Sequence, residues 1–295
     1  MKVIITGASG RIGFELAEAL AKAGNKVTGT FLNSLASANG MEFVKLDTTN
    51  RRDVLELIKK VKPELVIHTA ALTNVDLCET DHKLADNLNV ESTRNIVDGC
   101  IDVGSKIAYV SSSFVFDGSK KVFHEDDRPN PVNYYGKTKL YGEKIIEDSK
   151  LKFLILRTDQ PYNWIKSWQK DNNVTRIIKK LENKESFKEF ADWYNNPTFI
   201  PDFVKATLNL IKNERQGIYH LVGSDYMNRY EWALKIAEIF EKEKHLINPT
   251  DSKDLNLPAK RPNANLSNEK VQKDSGVKFS GLEQGLKNML RNQKV

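Results

Sequence analysis

Short apolar runs and longer helical patterns alternate along the first half of the chain. Val3-Ile4-Ile5 and Leu65-Val66-Ile67 are continuously apolar, which is typical of strands covered by helices on both faces. Between such runs apolar residues recur at helical spacing, as at Leu16, Leu20 and Ala23. Strands and helices in this order predict an α/β fold with a doubly wound parallel sheet.

The expected elements succeed one another at short intervals until about residue 156, after which the pattern is less regular. The sequence predicts strands over 2–6, 26–31, 42–45, 65–68, 106–110, 153–156 and 217–222, and helices over 12–23, 53–61, 82–103, 135–149, 174–181, 202–212 and 230–242. We predict two units: a sheet domain (1–158), interleaved with some later segments, and a smaller C-terminal α/β lobe (159–295). The substrate is expected between them.

Three glycines, Gly7, Gly10 and Gly13, lie between the first predicted strand and the first predicted helix. Glycines at this spacing permit a tight turn, close approach of a pyrophosphate and close helix–strand packing. The start of the helix then presents free N–H groups and a partial positive charge to phosphates. The pattern predicts a dinucleotide site on a Rossmann-type sheet.

The residues after the second strand favour NADP(H) over NAD. NAD sites usually carry an acidic residue about 20 residues after the glycine loop, which binds the ribose 2′-OH, but this chain has none between Glu18 and Glu42. Arg11, inside the glycine loop, is expected to reach the adenosine phosphate. The alternative for Arg11 is an exposed arginine at a helix start.

Tyr135 and Lys139 are four residues apart at the start of a predicted helix, so their side chains share one face. A nearby ammonium favours phenolate, so Lys139 is expected to lower the pKa of the Tyr135 phenol and to grip the nicotinamide ribose. Ser112, at the end of strand five, would bond the reacting oxygen. The cofactor contacts predicted along the chain are Gly7, Ser9, Gly10, Arg11, Ile12, Gly13, Phe31, Asp47, Thr48, Ala70, Ala71, Thr73, Val110, Tyr135 and Lys139.

This combination resembles the extended short-chain dehydrogenase/reductases, and within them the dTDP-4-dehydrorhamnose reductase family. The resemblance runs through nearly the whole chain, and its most specific stretches are those at Asp76 and Pro129–Lys139. It implies that Tyr135 donates the proton, that Lys139 tunes Tyr135 and anchors the ribose, and that Ser112 replaces the family's threonine. By the same resemblance, Asn196-Pro197-Thr198 lies near the substrate and Arg261 faces the nucleotide diphosphate.

The departures from the family pattern concern the sugar pocket. Where the family usually reads Ser-Thr-Asp-Tyr after strand five, this chain has Ser111-Ser112-Ser113-Phe114; after strand six it has Arg157-Thr158-Asp159-Gln160 in place of Arg-Thr-Ser-Trp. The cofactor and proton-transfer residues are kept, so these changes bear on the identity of the sugar. The predicted substrate residues are Ser113, Gln160, Asn196, Thr198 and Arg261.

Composition and charge bear on the kind of substrate, on metal binding and on the location of the protein. The net charge of +6 comes from the second half, which suits an anionic substrate such as a nucleotide-sugar but equally a lysine-rich solvated surface. Cys78 and Cys100 are isolated and the histidines show no ligand spacing, so no metal site is expected. We find no nucleic-acid motif, no apolar run that could span a membrane and no signal peptide, so a cytoplasmic location is expected. A homodimer is left open.

The expected activity is NADPH-dependent reduction of a keto group on a nucleotide-linked deoxysugar. An epimerase or dehydratase of the same superfamily is a second possibility, although the missing acid after strand two disfavours it. The alternative from a different class is a non-catalytic NADP(H)-binding regulatory subunit that resembles the methionine adenosyltransferase β subunit.

Overall fold

The computed structural model describes residues 1–34 and 40–292. Within these two ranges seven strands form one wholly parallel sheet in the order β7-β6-β5-β4-β1-β2-β3. The predicted doubly wound parallel sheet is therefore confirmed. The strands are β1 (Lys2–Thr6), β2 (Lys26–Phe31), β3 (Met41–Lys45), β4 (Leu65–His68), β5 (Lys106–Ser112), β6 (Phe153–Thr158) and β7 (Gly217–His220).

Most helices lie within two or three residues of their predicted bounds. The predicted helix over 82–103 is instead two helices, His82–Ala85 and Ser92–Val103, joined by a π-helical turn (Asp86–Glu91). The sequence did not predict the helices Val75–Thr80, Glu269–Ser275 and Leu282–Asn292. The α-helices are α1 (Arg11–Lys22), α2 (Arg51–Val61), α3 (Val75–Thr80), α4 (His82–Ala85), α5 (Ser92–Val103), α6 (Tyr134–Asp148), α7 (Asn173–Glu182), α8 (Ile200–Lys212), α9 (Arg229–Ile239), α10 (Glu269–Ser275) and α11 (Leu282–Asn292). Short 3-10 turns cover Ser113–Val115, Lys244–Leu246 and Ser252–Asp254.

Both faces of the sheet are buried, because successive strand side chains point to opposite sides. Val3 and Ile5 pack toward α1, α8 and α10, whereas Ile4 packs toward α2, α5 and α6. This explains why the strands are continuously apolar in sequence.

A second apolar core, built around Trp232 and Leu286, joins α7, α9 and α11. Short strand pairs lie beside it, including Phe187–Phe190 with Ile247–Thr250. Between α7 and α9, which belong to this core, the chain forms α8, which packs on the sheet, and β7, which pairs with β6. We use "second lobe" for the parts of the chain around this second core; the boundary at residue 158 stays a prediction.

The strand order reverses between β1 and β4, and ligands of such sheets bind outside the carboxyl ends at this point. Gly7 follows β1 there, and Thr69-Ala70 follows β4. The glycine loop therefore lies at the position where a dinucleotide is expected. In the described part of the chain, no helix combines the length and apolar character needed to cross a bilayer.

Candidate active site

The glycine loop is shaped by backbone contacts that leave no room for side chains. Gly7 has φ +67°, and a Cβ there would lie 2.9 Å from the Cα atom of Ala70. A Cβ on Gly13 would clash with the carbonyl oxygen of Gly7 and lie 2.7 Å from Oγ1 of Thr69. Gly10 is the N-cap of α1 and supplies no side-chain cap, and the first turn holds no acidic residue. These residues fit the diphosphate of a dinucleotide, which the free N–H groups of α1 would bind.

A segment of the second lobe, residues 166–171, covers the glycine loop; we call it the cover segment. Trp168 Nε1 and Gln169 Nε2 each donate a hydrogen bond to the carbonyl oxygen of Ser9, both at 3.2 Å. The Trp168 ring also makes edge contact with Phe14, at 5.3 Å between ring centroids. Sequence reasoning missed this segment, because no pattern in an irregular loop indicates what it touches.

Arg11 lies at the loop as predicted, but part of its guanidinium is bound by the cover segment. Nη1 donates to the carbonyl oxygens of Lys170 and Asp171, both at 3.1 Å. Burial lowers the pKa of Arg11, although Asp171 opposes that effect. A guanidinium has five N–H donors, so Nε and Nη2 keep donors for an anion.

The other predicted cofactor residues lie along the carboxyl ends of the strands. Phe31 ends β2, Asp47-Thr48 follows β3, and Val110 lies near the end of β5. Asp47 is exposed, and its carboxylate accepts two hydrogen bonds from Thr49, which fixes the turn. Ser9, Ile12, Phe31, Ala70, Ala71 and Val110 are half-buried and Thr73 is exposed, so each presents some surface.

Local contacts fix the start of α6, where Tyr135 lies. The Asn133 side chain caps the helix by accepting from the Gly136 N–H at 2.8 Å, and it donates to the Lys260 carbonyl at 2.8 Å. Gly136 packs so closely on the turn Ser113–Val115 that a Cβ would clash with the Phe114 carbonyl oxygen. This contact brings Tyr135 beside the end of β5, where Ser112 lies.

The electrostatics of Tyr135 differ from the expectation. Burial raises the pKa of its phenol to about 12, while hydrogen bonding with Ser112 acts in the opposite direction. Burial also lowers the pKa of Lys139 to about 7, and nearby Glu143 opposes that change. The predicted lowering of the phenol pKa is therefore wrong for this structure, because desolvation of the buried phenol dominates. The phenol stays protonated at neutral pH, as a proton donor requires.

A buried ion pair holds α6 against the sheet behind Lys139. The carboxylate of Glu143 accepts from Arg157 in two bonds, Nε at 2.9 Å and Nη2 at 2.8 Å. Ser111 donates to the same carboxylate at 2.5 Å. Glu143 lies one turn after Lys139, so this network fixes the face of α6 that carries the predicted pair.

Asn196 and Thr198 are buried, and their side chains are bonded to the protein. Asn196 Nδ2 donates to the carbonyl of Asp225 and to Oδ1 of Asn265, both at 3.1 Å. Thr198 Oγ1 donates to the carbonyl of Asp159 at 2.7 Å. Both side chains hold neighbouring loops together, so the structure does not present them as free substrate contacts.

The remaining predicted substrate residues also contact polar side chains of the protein. The Gln160 side-chain oxygen accepts from Asn173 at 2.5 Å and from Arg229 at 3.3 Å. Arg261 pairs with Asp76, with 2.7 Å between Nη2 and Oδ2. Ser113 is buried beside Asp159; burial raises the pKa of that carboxyl to about 7, and the neighbouring Ser113 hydroxyl opposes the rise.

Two residues near Tyr135 were missed by sequence reasoning as site residues. Asp159 is buried beside Ser113, and its charge acts on Tyr135. Trp193 packs against the apolar cluster that contains Tyr135 and Phe114. The unusual acid after strand six was a signal for Asp159, whereas Trp193 lies in a stretch without periodicity. Among the described residues, no group of three or more His, Cys, Asp or Glu could hold a metal ion.

The model of the RmlD substrate binding domain family matches residues 1–295, the whole chain. The chain belongs to this family. The expected relation to the dTDP-4-dehydrorhamnose reductases is thereby confirmed.

Relatives of the chain include reductases and a methionine adenosyltransferase subunit. The chain is 28% identical to dTDP-4-dehydrorhamnose reductase of Salmonella typhimurium, over 98% of this chain and 97% of the relative. It is 29% identical to methionine adenosyltransferase 2 subunit beta of Xenopus tropicalis, over 92% of this chain and 82% of the relative. The crystal structure of dTDP-4-dehydrorhamnose reductase from Bacillus anthracis in complex with NADP has a TM-score of 0.88, at 26% identity and 99% coverage of both chains.

Proposed function

We propose that the chain is an NADPH-dependent reductase that acts on a keto group of a nucleotide-linked deoxysugar, like the dTDP-4-dehydrorhamnose reductases. The observation that carries the proposal is the placement of Ser112, Tyr135 and Lys139 at the carboxyl ends of the sheet, beside a glycine loop fitted to a diphosphate. Membership of the family and the NADP complex of the Bacillus anthracis relative support it.

The chain's residues supply positioning and a proton. NADPH, when bound, supplies the hydride. Tyr135 holds its proton at neutral pH and donates it to the oxygen of the reduced ketone, while the Ser112 hydroxyl holds that oxygen. Lys139, whose pKa of about 7 allows both charge states, anchors the ribose and supports proton supply to the phenol.

The nucleotide part of the substrate suits the basic second half of the chain. Arg261 is held by Asp76, and its remaining donors would face a diphosphate. We propose a cytoplasmic location, no nucleic-acid partner and a homodimer as the assembly to test first.

The second candidate is a regulatory subunit that binds NADP(H) without turnover. The likeness to methionine adenosyltransferase 2 subunit beta favours it, as do the changes at Ser113 and Gln160 in the sugar pocket. Retention of Ser112, Tyr135 and Lys139 supports the reductase instead.

The deciding experiment follows NADPH oxidation with dTDP-4-dehydro-6-deoxy-L-mannose and related keto-sugars. Saturable turnover by the purified chain supports the reductase. Absence of turnover with every keto-sugar, together with NADP(H)-dependent binding to a second protein, would replace it by the regulatory function.

A further inference from the structure

An indole from the second lobe reaches the aromatic group around Tyr135. Phe114 makes edge contact with Tyr135, at 5.5 Å between ring centroids, and Trp193 makes edge contact with Phe114 at 6.4 Å. Trp193 is half-buried, and its Nε1 donates to the Pro262 carbonyl at 3.2 Å, which fixes the ring. A rigid aromatic surface therefore stands close to the proposed proton donor.

A buried carboxyl group flanks the other side of the same turn. In the β5–β6 register Ser112 pairs with Thr158, so the next residues, Ser113 and Asp159, are neighbours. Asp159 is 3% exposed; its Oδ2 accepts from the Asn196 N–H at 2.9 Å. Among the described residues, its Oδ1 has no hydrogen-bond partner. A buried acceptor without a partner is costly, which points to a donor supplied from outside the protein.

The nearest guanidinium does not satisfy Asp159. Arg229 pairs with Glu189, with 3.7 Å between Nη2 and Oε2, and donates to Gln160. Its charge acts on Asp159 only as a weaker opposing influence, so burial still raises the pKa of Asp159 to about 7. Near neutral pH the carboxyl is thus present both with and without its proton, and a hydroxyl can pair with either form.

We propose that Trp193 and Asp159 form the sugar-binding wall of the substrate pocket, with the indole against the apolar face of a pyranose ring and Oδ1 bonded to a ring hydroxyl. The inference rests on the proposed function, because it names what that pocket selects. An aromatic surface with one convergent polar group is typical of small-molecule sites. It also gives a use to the Oδ1 atom of Asp159, which the described residues leave without a partner.

The test compares two probes on the NADP⁺-loaded protein by calorimetry: dTDP, and dTDP-L-rhamnose. Asp159→Ala and Trp193→Ala are each expected to weaken dTDP-L-rhamnose binding roughly ten-fold or more, and to leave dTDP binding within about two-fold. Trp193→Phe keeps a ring and is expected to lose only about three-fold. The matched control is Trp164→Phe, since Trp164 donates to the Met289 carbonyl in the second core, away from the pocket; it should change neither affinity.

Each outcome bears on the proposal. Equal losses for dTDP and dTDP-L-rhamnose, or no loss for either, would overturn the sugar-binding wall. Turnover by the wild-type protein is measured separately with dTDP-4-dehydro-6-deoxy-L-mannose. Sugar-dependent losses without wild-type turnover would reject the reductase and keep the wall, whereas turnover that is unaffected in KM by both substitutions would keep the reductase and reject the wall.

Discussion

The Nζ atom of Lys139 lies 3.9 Å from the centroid of the Tyr109 ring. Tyr109 is stacked in turn on His68, at 5.6 Å, and burial together with the charge of Lys139 lowers the pKa of His68 to about 3. The ammonium thus lies against a buried aromatic ring, with Glu143 as the nearby carboxylate. Cation–π attraction replaces only part of the lost hydration, which is why the pKa of Lys139 falls.

Replacement of Lys139 by methionine is expected to stabilise the fold while it weakens catalysis. The folded pKa of Lys139, about 7, is below the ordinary lysine value of 10.5, so the unfolded chain binds the proton more tightly between these values. The cost of the buried ammonium is complete below pH 7 and is relieved as the pH rises toward 10.5. Urea unfolding at pH 6 should show a gain on the order of 2 kcal/mol that shrinks at higher pH. Lys137→Met, exposed on the same helix, should show no such trend.

Removal of the phenol hydroxyl tests the proton donor. Tyr135→Phe is expected to lower kcat by roughly 10²–10⁴-fold, since positioned proton transfer contributes about that much. NADPH affinity should stay close to that of the wild type, because the ring still packs on Phe114. Steady-state rates and NADPH fluorescence titration give the two values. Undiminished turnover would remove Tyr135 from the mechanism.

The pH dependence of stability tests the buried carboxyl of Asp159. Its folded pKa of about 7 is above the ordinary aspartate value of 3.8, so the folded protein holds the extra proton between these values. The free energy of unfolding should therefore fall as the pH rises from 4 to 7, by an amount on the order of 2–4 kcal/mol from this group. The other charged or titratable groups that act on it are Arg229, Tyr135 and Tyr226. Asp159→Asn should lack this component, and parallel curves for both proteins would contradict the assignment.

Arg11 is expected to discriminate between the two nicotinamide cofactors. Its Nε and Nη2 donors can bind a 2′-phosphate while Nη1 stays on the carbonyls of Lys170 and Asp171. Arg11→Gln should raise the Kd for NADPH roughly ten-fold or more and leave that for NADH unchanged, since charge-assisted bonds contribute about 1.5–3 kcal/mol. Equal changes for both cofactors would mean that Arg11 only supports the loop.

The cover segment is expected to strengthen cofactor binding. Trp168→Phe keeps a ring against Phe14 but removes the hydrogen bond to the Ser9 carbonyl. The Kd for NADPH should rise about 2- to 10-fold, the range for one neutral hydrogen bond. Trp164→Phe serves as the control, and equal affinities in both variants would show that the cover segment does not affect the cofactor site.

Much of the fold could be predicted, because each local signal agreed with the tertiary structure. The buried strand Leu65–His68 is apolar throughout, and the glycines at 7 and 13 follow from backbone contacts that any side chain would disrupt. The failures were of two kinds. The π-helical turn Asp86–Glu91 does not change the spacing of apolar residues enough to be detected. In α11 the apolar residues Leu282, Leu286 and Met289 do recur at helical spacing, but this signal was not used.

The site was less predictable, because burial depends on what the rest of the chain places around a residue. The sequence brings Tyr135 and Lys139 to one helix face, but it does not reveal that desolvation dominates both pKa values. Thr198 lies at a motif position for which the resemblance implies a substrate contact, yet its hydroxyl donates a hydrogen bond to the Asp159 carbonyl. Trp193 reaches the site only through a loop of the second lobe.

The pairing of β7 with β6 has a consequence for truncation. A fragment that ended at residue 158 would lose β7 and α8, so the backbone of β6 from Leu154 to Arg157 would have open N–H and C=O groups. An exposed apolar edge strand of this kind can pair with a strand of another molecule. The N-terminal nucleotide-binding half, expressed alone, should therefore self-associate, and only the uncut polypeptide should remain dispersed.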